Sequence, residues 1–231
     1  MNPLPSRFKK LLGLLPFSIL IFGPLFAQNA EEPATLHLRV LMFNHGGPEH
    51  IYTYGVDELE TIRLSSVQPS PPVEVKANNP LPLYYTAPDP ESETVPRPHA
   101  GVKIPAGIQH VLILGKVQND KVSWVAIPDN LPLADSRDWQ MINASPVPIV
   151  IRIGEESEAI LLKPGSQKVY KLNVKPGEGA AVTAARWVDG EPEIFYSTYW
   201  PVKENQRGLV LFLSEGGGVQ VKRISERLPP S

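Results

Sequence analysis

The chain has 231 residues, of which 42 % are hydrophobic and 20 % charged, proportions that exclude a disordered polymer and require a packed core. Its 22 basic residues are nearly balanced by 24 acidic ones, so the strong positive field that nucleic-acid binding needs is missing. With 26 prolines, long helices are disfavoured, and the composition favours strands.

The N-terminus has the pattern of a bacterial export signal. Arg7, Lys9 and Lys10 precede an apolar run over 11–26, and Ala27 offers a small residue for cleavage. The run spans about 16 residues, fewer than the roughly 20 of a membrane-spanning helix. We therefore predict a signal peptide over 1–27, a periplasmic or secreted protein, and no stable membrane anchor after cleavage. Removal of this segment leaves 19 basic against 24 acidic residues, a net charge of −5.

The chain contains no cysteine. This excludes a thiol nucleophile, a zinc site with sulfur ligands and a lipid-modified N-terminal cysteine. Exported proteins with small cores usually rely on disulfides, so the hydrophobic core must hold this fold together alone.

Short segments of alternating polarity, separated by turn residues, predict strands along the rest of the chain. In a first module over 35–128 they cover 36–43, 51–54, 60–64, 73–76, 81–86, 108–117 and 121–127. In a second module over 138–226 they cover 139–143, 149–153, 159–162, 168–174, 180–188, 193–198, 208–213 and 219–224. No helical periodicity competes, so the predicted fold class is all-β.

Two apolar runs, 111–114 and 209–213, have no polar face. A strand of this kind is expected at the centre of a sheet, with one face on the opposite sheet and the other on a neighbouring domain. Polar or glycine-rich residues follow at 118–120 and 216–218, so each module is predicted to end in a β-hairpin. Gly165, in a Pro-Gly turn, is expected to adopt a positive φ.

The two modules are predicted to be copies of one unit. A constant shift of 99 residues places Met42 on Met141 and Asn44 on Asn143, and apolar positions coincide around them. Seven or eight short strands per copy match an immunoglobulin-like β-sandwich. The expected boundary is the proline-containing stretch 128–138, and the longest irregular segment is the proline-rich loop 86–107.

The motif Asn143-Ala144-Ser145-Pro146 with Pro148, followed by an apolar strand, resembles the opening of a secreted bacterial domain of unknown function. The two-module layout is also similar to that of a periplasmic accessory protein of alginate acetylation. Both resemblances imply a non-catalytic β-sandwich in the cell envelope, and neither supplies site residues.

Motifs for catalysis or metal binding are missing. His45, Glu49 and His50 form the best local metal candidate, but the intervening Gly46-Gly47-Pro48 prevents the helix that would place them on one face, and a polar turn is favoured. The nucleophile string Gly-x-Ser-x-Gly and phosphate-binding glycine loops do not occur. We expect no enzyme activity, no metal and no cofactor.

Aromatic residues predict a binding surface for sugar rings or a protein partner. This tyrosine surface, as we call it, comprises Tyr52, Tyr54, Tyr84, Tyr85, Tyr199 and Trp200. The same rings also suit a sandwich core or the interface between modules.

The leading hypothesis is an exported, non-catalytic protein that binds an envelope protein or a polysaccharide. One alternative is a periplasmic chaperone of two immunoglobulin-like domains, which needs an exposed edge strand and cleft cations such as Arg39 or Lys103. The other is a carbohydrate-binding module, in which polysaccharide would quench Trp187 or Trp200 fluorescence.

Overall fold

A computed structural model describes residues 35–89, 91–92, 96–154, 157–175, 177–188 and 191–228, with the side chain of residue 215 left out. The predicted signal peptide lies outside these residues. Strands account for 58 % of the structure and the fold is all-β. Among the described residues, no helix is long and apolar enough to cross a membrane.

Sixteen strands are described, eight in each half of the chain. Those of the first half are β1 (Thr35–Met42), β2 (His50–Tyr54), β3 (Leu59–Arg63), β4 (Val73–Lys76), β5 (Leu81–Leu83), β6 (Ala100–Val102), β7 (His110–Gln118) and β8 (Lys121–Pro128). Those of the second half are β9 (Asp138–Asn143), β10 (Ile149–Ile153), β11 (Ile160–Leu162), β12 (Gln167–Lys171), β13 (Gly179–Val188), β14 (Glu191–Pro201), β15 (Gln206–Glu215) and β16 (Gly218–Arg227).

Every predicted segment overlaps an observed strand, and the sequence missed only β6 among them. This strand lies inside the proline-rich loop 86–107. Its residues, Ala100-Gly101-Val102, include a single large apolar side chain, so no alternation of polarity is visible. Predicted strand 81–86 is shorter than expected, since β5 ends at Leu83.

The same strand order occurs in both halves. The inner sheets have the orders β4-β1-β7-β8 and β12-β9-β15-β16. The outer sheet of the second half is β11-β10-β13-β14. In the first half, β3-β2 and β5-β6 form the corresponding layer and are joined by a bridge between Tyr52 and Tyr84. Each half therefore has two packed layers, consistent with a β-sandwich.

The strand registers differ between the halves. His37 lies opposite His110 in the parallel pair of the first inner sheet, a separation of 73 residues. Trp139 lies opposite Gly208 in the second, a separation of 69 residues. A single shift of 99 thus cannot superimpose both strands of the pair. The two separations differ by an even number of residues, and side chains alternate with a period of two. The shift of 99 therefore preserves which residues face inward.

Three apolar clusters hold the molecule together. One lies between the sheets of the first half and a second lies between the sheets of the second half. The third joins the inner sheets to each other; it contains Leu41, Leu112, Leu114, Ile127, Ile142, Leu209, Leu211 and Ile224. The prediction that runs 111–114 and 209–213 are covered on both faces is confirmed.

Both terminal hairpins are confirmed. Asn119 and Asp120 have φ values of 52° and 58°, and Gly216 and Gly217 have values of 58° and 81°. Two consecutive positive φ values define the two-residue turn whose twist matches that of the flanking strands. Gly165 has a φ of 71°, as expected.

The two halves are connected by residues 129–137, which include a 3₁₀ turn at Leu131–Leu133. All described residues belong to one compact unit. The module boundaries given above, 35–128 and 138–226, stay a prediction.

Candidate functional site

A large cleft lies where the two halves meet. It has a volume of about 1180 Å³. A second cavity of about 830 Å³ lies within the second half alone. We call the former the junction cleft; its lining comprises His37, Arg39, Pro72, His110, Asp129, Leu131, Pro132, Ala134, Asp135, Ser136, Asn205, Arg227 and Leu228. Both halves and the connecting segment contribute to it.

Four buried charges form a closed ring, and two of them, Arg39 and Asp129, line the cleft. Asp129 accepts from Arg39 Nε at 2.6 Å and lies 2.9 Å from Arg207 Nη2. Glu226 accepts from Arg39 Nη1 at 2.6 Å and from Arg207 Nε at 2.9 Å. Arg207 also donates to the Asn130 amide oxygen. Each carboxylate bridges both guanidinium groups, which ties β1 to β15 and β16. With two cations and two anions, the ring is electrically neutral.

The ring keeps Asp129 and Arg39 ionised. Burial by itself would raise the pKa of Asp129, but the charge and hydrogen bond of Arg39, with Arg207 and the Leu131 N–H, hold it below its ordinary value. Burial would lower the pKa of Arg39, and Glu226 and Asp129 raise it above its ordinary value instead. One nitrogen, Arg39 Nη2, has no partner among the described residues and is buried.

Two histidines stack in the cleft. His37 and His110 face each other on the parallel strands β1 and β7, with ring centroids 4.6 Å apart and planes 14° from parallel. Burial lowers the pKa of His110, the charge of His37 lowers it further, and Asp129 opposes this shift. His37 Nδ1 lies 3.7 Å from a carboxylate oxygen of Glu74.

Three polar side chains at the cleft have no hydrogen bond within the described part of the chain: the Ser136 hydroxyl, the Asn205 amide and the Arg227 guanidinium. The backbone N–H of Leu228 donates to the Asn205 carbonyl at 2.8 Å, which ties the loop before β15 to the end of β16. Asn205 has a φ of 56°. We call Asn205, Arg227 and Leu228 the lip of the cleft.

The six residues of the predicted tyrosine surface are not all exposed. Tyr84 and Trp200 are buried, and Trp200 stacks on Trp139 with centroids 4.7 Å apart. Tyr52, Tyr54 and Tyr85 are half-buried in the first half. Tyr54 packs edge-on against Tyr84, and Tyr85 stacks on His99.

Tyr199, in contrast, is 60 % exposed on β14 of the second half. The structure thus brings Tyr54 and Tyr84 into contact but leaves the first-half and second-half members on different outer sheets. As a ligand surface, the set stays a prediction.

Strand β14 is the edge of the second outer sheet. It carries exposed Ile194 and Tyr199, and Trp187 is exposed on the neighbouring β13. Pro192 and Pro201 stand near its two ends, and a register shift interrupts its pairing with β13. Prolines and bulges are the devices by which natural edge strands avoid pairing with another chain.

The other candidates from the sequence lie apart from the cleft. His45 contacts the Ser66 hydroxyl at 3.2 Å on an exposed turn. Among the described residues, no three His, Asp or Glu side chains converge in the manner of a metal site. Of the two cleft cations proposed for a chaperone, Arg39 lies in the cleft but is paired with two carboxylates, whereas Lys103 is exposed and absent from the cleft lining.

The Asn-Ala-Ser motif has an internal structural role. Asn143 is buried, and its amide nitrogen donates to the carbonyls of Val147 and Leu162 at 2.8 and 2.9 Å. The Ser145 hydroxyl donates to the Asn143 side-chain oxygen at 2.6 Å. These bonds fix the chain between β9 and β10.

Sequence reasoning named Arg39 as a cleft cation for a chaperone but missed the other members of the junction cleft, because they are far apart in the chain. One signal was available: Arg39 is a charged residue inside the apolar run of β1, and a buried arginine requires a carboxylate partner. The partners themselves, 90 and 187 residues away, carry no local mark.

Comparison with protein-family models and with curated proteins found no match to this chain.

Proposed function

We propose that this chain is an exported, non-catalytic protein of two tandem immunoglobulin-like β-sandwiches that binds a component of the bacterial envelope, a protein or a polysaccharide, in the junction cleft. The signal-like segment 1–27 supports a periplasmic or secreted location. The repeated strand order supports the two-module organisation.

The observation that carries the proposal is the character of the cleft. A large cavity with a few convergent polar groups and a group of shifted pKa is the usual form of a ligand site. Here the carboxylate of Asp129 is held ionised between two arginines, which suits a rigid wall better than a group that must take up and release a proton. Binding therefore fits the geometry better than general acid or base chemistry.

Blocking the cleft tests this function. Because the chain has no cysteine, Ser136→Cys creates a single thiol for a bulky maleimide at the cleft. We expect the label to abolish binding of the mature protein to isolated envelope material. The matched control is Ser123→Cys, exposed on β8 and outside the cleft lining, which we expect to bind normally when labelled.

Equal binding of the two labelled proteins would overturn the assignment to the cleft. Export is tested separately, by the mass of the protein in a periplasmic extract. A mass that still includes residues 1–27 would contradict signal cleavage.

A further inference from the structure

The polar groups of the junction cleft divide into those already engaged and those free for a ligand. Asp129 is held by two arginines, and Asp135 lies 2.5 Å from Lys171 Nζ and accepts from the Arg137 N–H at 2.7 Å. In contrast, Ser136, Asn205 and Arg227 have no such partners within the described part of the chain. The carboxylates therefore belong to the framework, and the neutral groups and one cation are available.

The free groups are chemically mixed. A hydroxyl and an amide each donate and accept hydrogen bonds, whereas a guanidinium group only donates, through a planar fork. Such a set matches neighbouring hydroxyl groups, which also donate and accept. A phosphorylated ligand would instead need several converging cations, and Arg227 is the one unpaired cation among the described lining residues.

Apolar walls accompany these polar groups. Pro72, Leu131, Pro132 and Leu228 line the cleft together with the imidazole of His37. A pyranose ring has an apolar C–H face and a rim of hydroxyls, so it fits a cleft with both kinds of surface. The lip is also fixed in advance by the Asn205–Leu228 backbone bond, which limits the entropy lost when a ligand binds.

We propose that the junction cleft binds a pyranose ring of an envelope polysaccharide, with Asn205 and Arg227 as the hydroxyl-binding residues; this rests on the proposed function above. The site lies between the halves and is distinct from the tyrosine surface. It assigns the sugar to Asn205, Arg227, Leu228 and the connecting segment rather than to an exposed aromatic row.

The test uses an array of pyranose oligosaccharides and the mature protein. We expect the wild type to bind a subset of the array and Asn205→Ala and Arg227→Ala to weaken that binding at least about tenfold. Both residues are exposed, so Arg227→Ala should keep the wild-type melting temperature. Asn205→Ala should lower it slightly, because alanine adopts the φ of 56° less readily than asparagine. Matched controls are Asn78→Ala and Arg63→Ala, exposed residues of the same types outside the cleft, which should bind like the wild type.

The outcomes separate this inference from the proposed function. If the array shows no binding while the label at position 136 still blocks envelope binding, the sugar assignment is overturned and the cleft assignment stands. If binding to the array is unaffected by both lip variants but lost in Tyr199→Ala, the tyrosine surface is the sugar site and this inference is wrong. If neither assay responds, both fail.

Discussion

At the residue scale, the most costly groups to remove are the four charges of the buried ring. Arginine and carboxylate side chains lose their hydration when they are buried, and their mutual attraction only offsets this loss when the geometry is good. Here each carboxylate contacts both arginines at 2.6–2.9 Å, and all four side chains are less than a tenth exposed. Removal of one member leaves its two partners buried with only one counter-charge between them.

Arg207→Met should therefore lower the free energy of unfolding by about 3–5 kcal/mol, because Asp129 and Glu226 remain buried beside one arginine. Arg186→Met is the matched control. Its pair with Glu193 has a similar distance, 2.9 Å, but is partly exposed, so a change of about 0–1 kcal/mol is expected. Urea unfolding measures both. A similar, small effect of the two substitutions would show that the ring does not stabilise the fold.

The stacked histidine pair predicts a pH dependence. Burial and the charge of His37 lower the pKa of His110 below its ordinary value of 6.5. As the pH falls, His110 therefore takes up a proton in the unfolded chain at a higher pH than in the folded one. The contribution of His110 is complete above pH 6.5 and is lost as the pH falls from there toward its folded pKa.

Nuclear magnetic resonance titration should find the pKa of His110 below 6.5. His37→Gln should raise the pKa of His110, because it removes the nearby charge. His110→Gln should flatten the fall of the unfolding free energy below pH 6.5. A His110 pKa above 6.5 would contradict the prediction.

At the element scale, close approach of β15 to β9 depends on one glycine. A Cβ at Gly208 would lie 2.2 Å from the Trp139 ring. That ring stacks on Trp200, and the guanidinium carbon of Arg223 lies 4.7 Å from its centroid. The indole pair is part of the core cluster of the second half. The glycine is thus required by packing rather than by a turn.

Gly208→Ala should destabilise the protein by about 1–3 kcal/mol and change the near-ultraviolet spectrum of the tryptophan pair. Gly216→Ala is the comparison, since its Cβ would meet no atom within 4 Å and only the positive φ of 58° is unfavourable. We expect it to cost about 1 kcal/mol, with an unchanged spectrum. The reverse order would contradict the packing argument.

Strand positions could be predicted from the sequence where alternation extends over four or more residues. Segments 73–76 and 149–153 match the observed strands to the residue. Short β6 could not be predicted, because Ala100-Gly101-Val102 has only one large apolar side chain, whereas the equally short β5 and β11 have leucine or isoleucine at both ends. The pairing registers were also out of reach, since alternation fixes which face a residue occupies but not which partner it has.

At the scale of the whole molecule, the two halves are joined by apolar and polar contacts. The apolar runs at 111–114 and 209–213 predicted a covered second face, and both runs contribute to the cluster that joins the inner sheets. The polar contacts could not be predicted: Lys222 donates to the carbonyls of Phe43, at 3.3 Å, and Ser66 across the junction. Burial lowers the pKa of Lys222 there. The junction cleft depends on this fixed arrangement.

Because the halves share an apolar cluster, they should unfold together. Leu211 is fully buried in that cluster, and Leu211→Ala should lower the free energy of unfolding by about 2–5 kcal/mol. Leu133→Ala, at a leucine that is 90 % exposed, should change it by less than about 0.5 kcal/mol. Amide exchange, read by mass spectrometry at increasing urea, should show peptides of β7 and β15 opening at the same urea midpoint. Leu211→Ala should lower that midpoint equally in both strands. If only the β15 peptides shifted, the halves would be independent folding units, and the cleft would be a joint between domains whose relative position a ligand must fix.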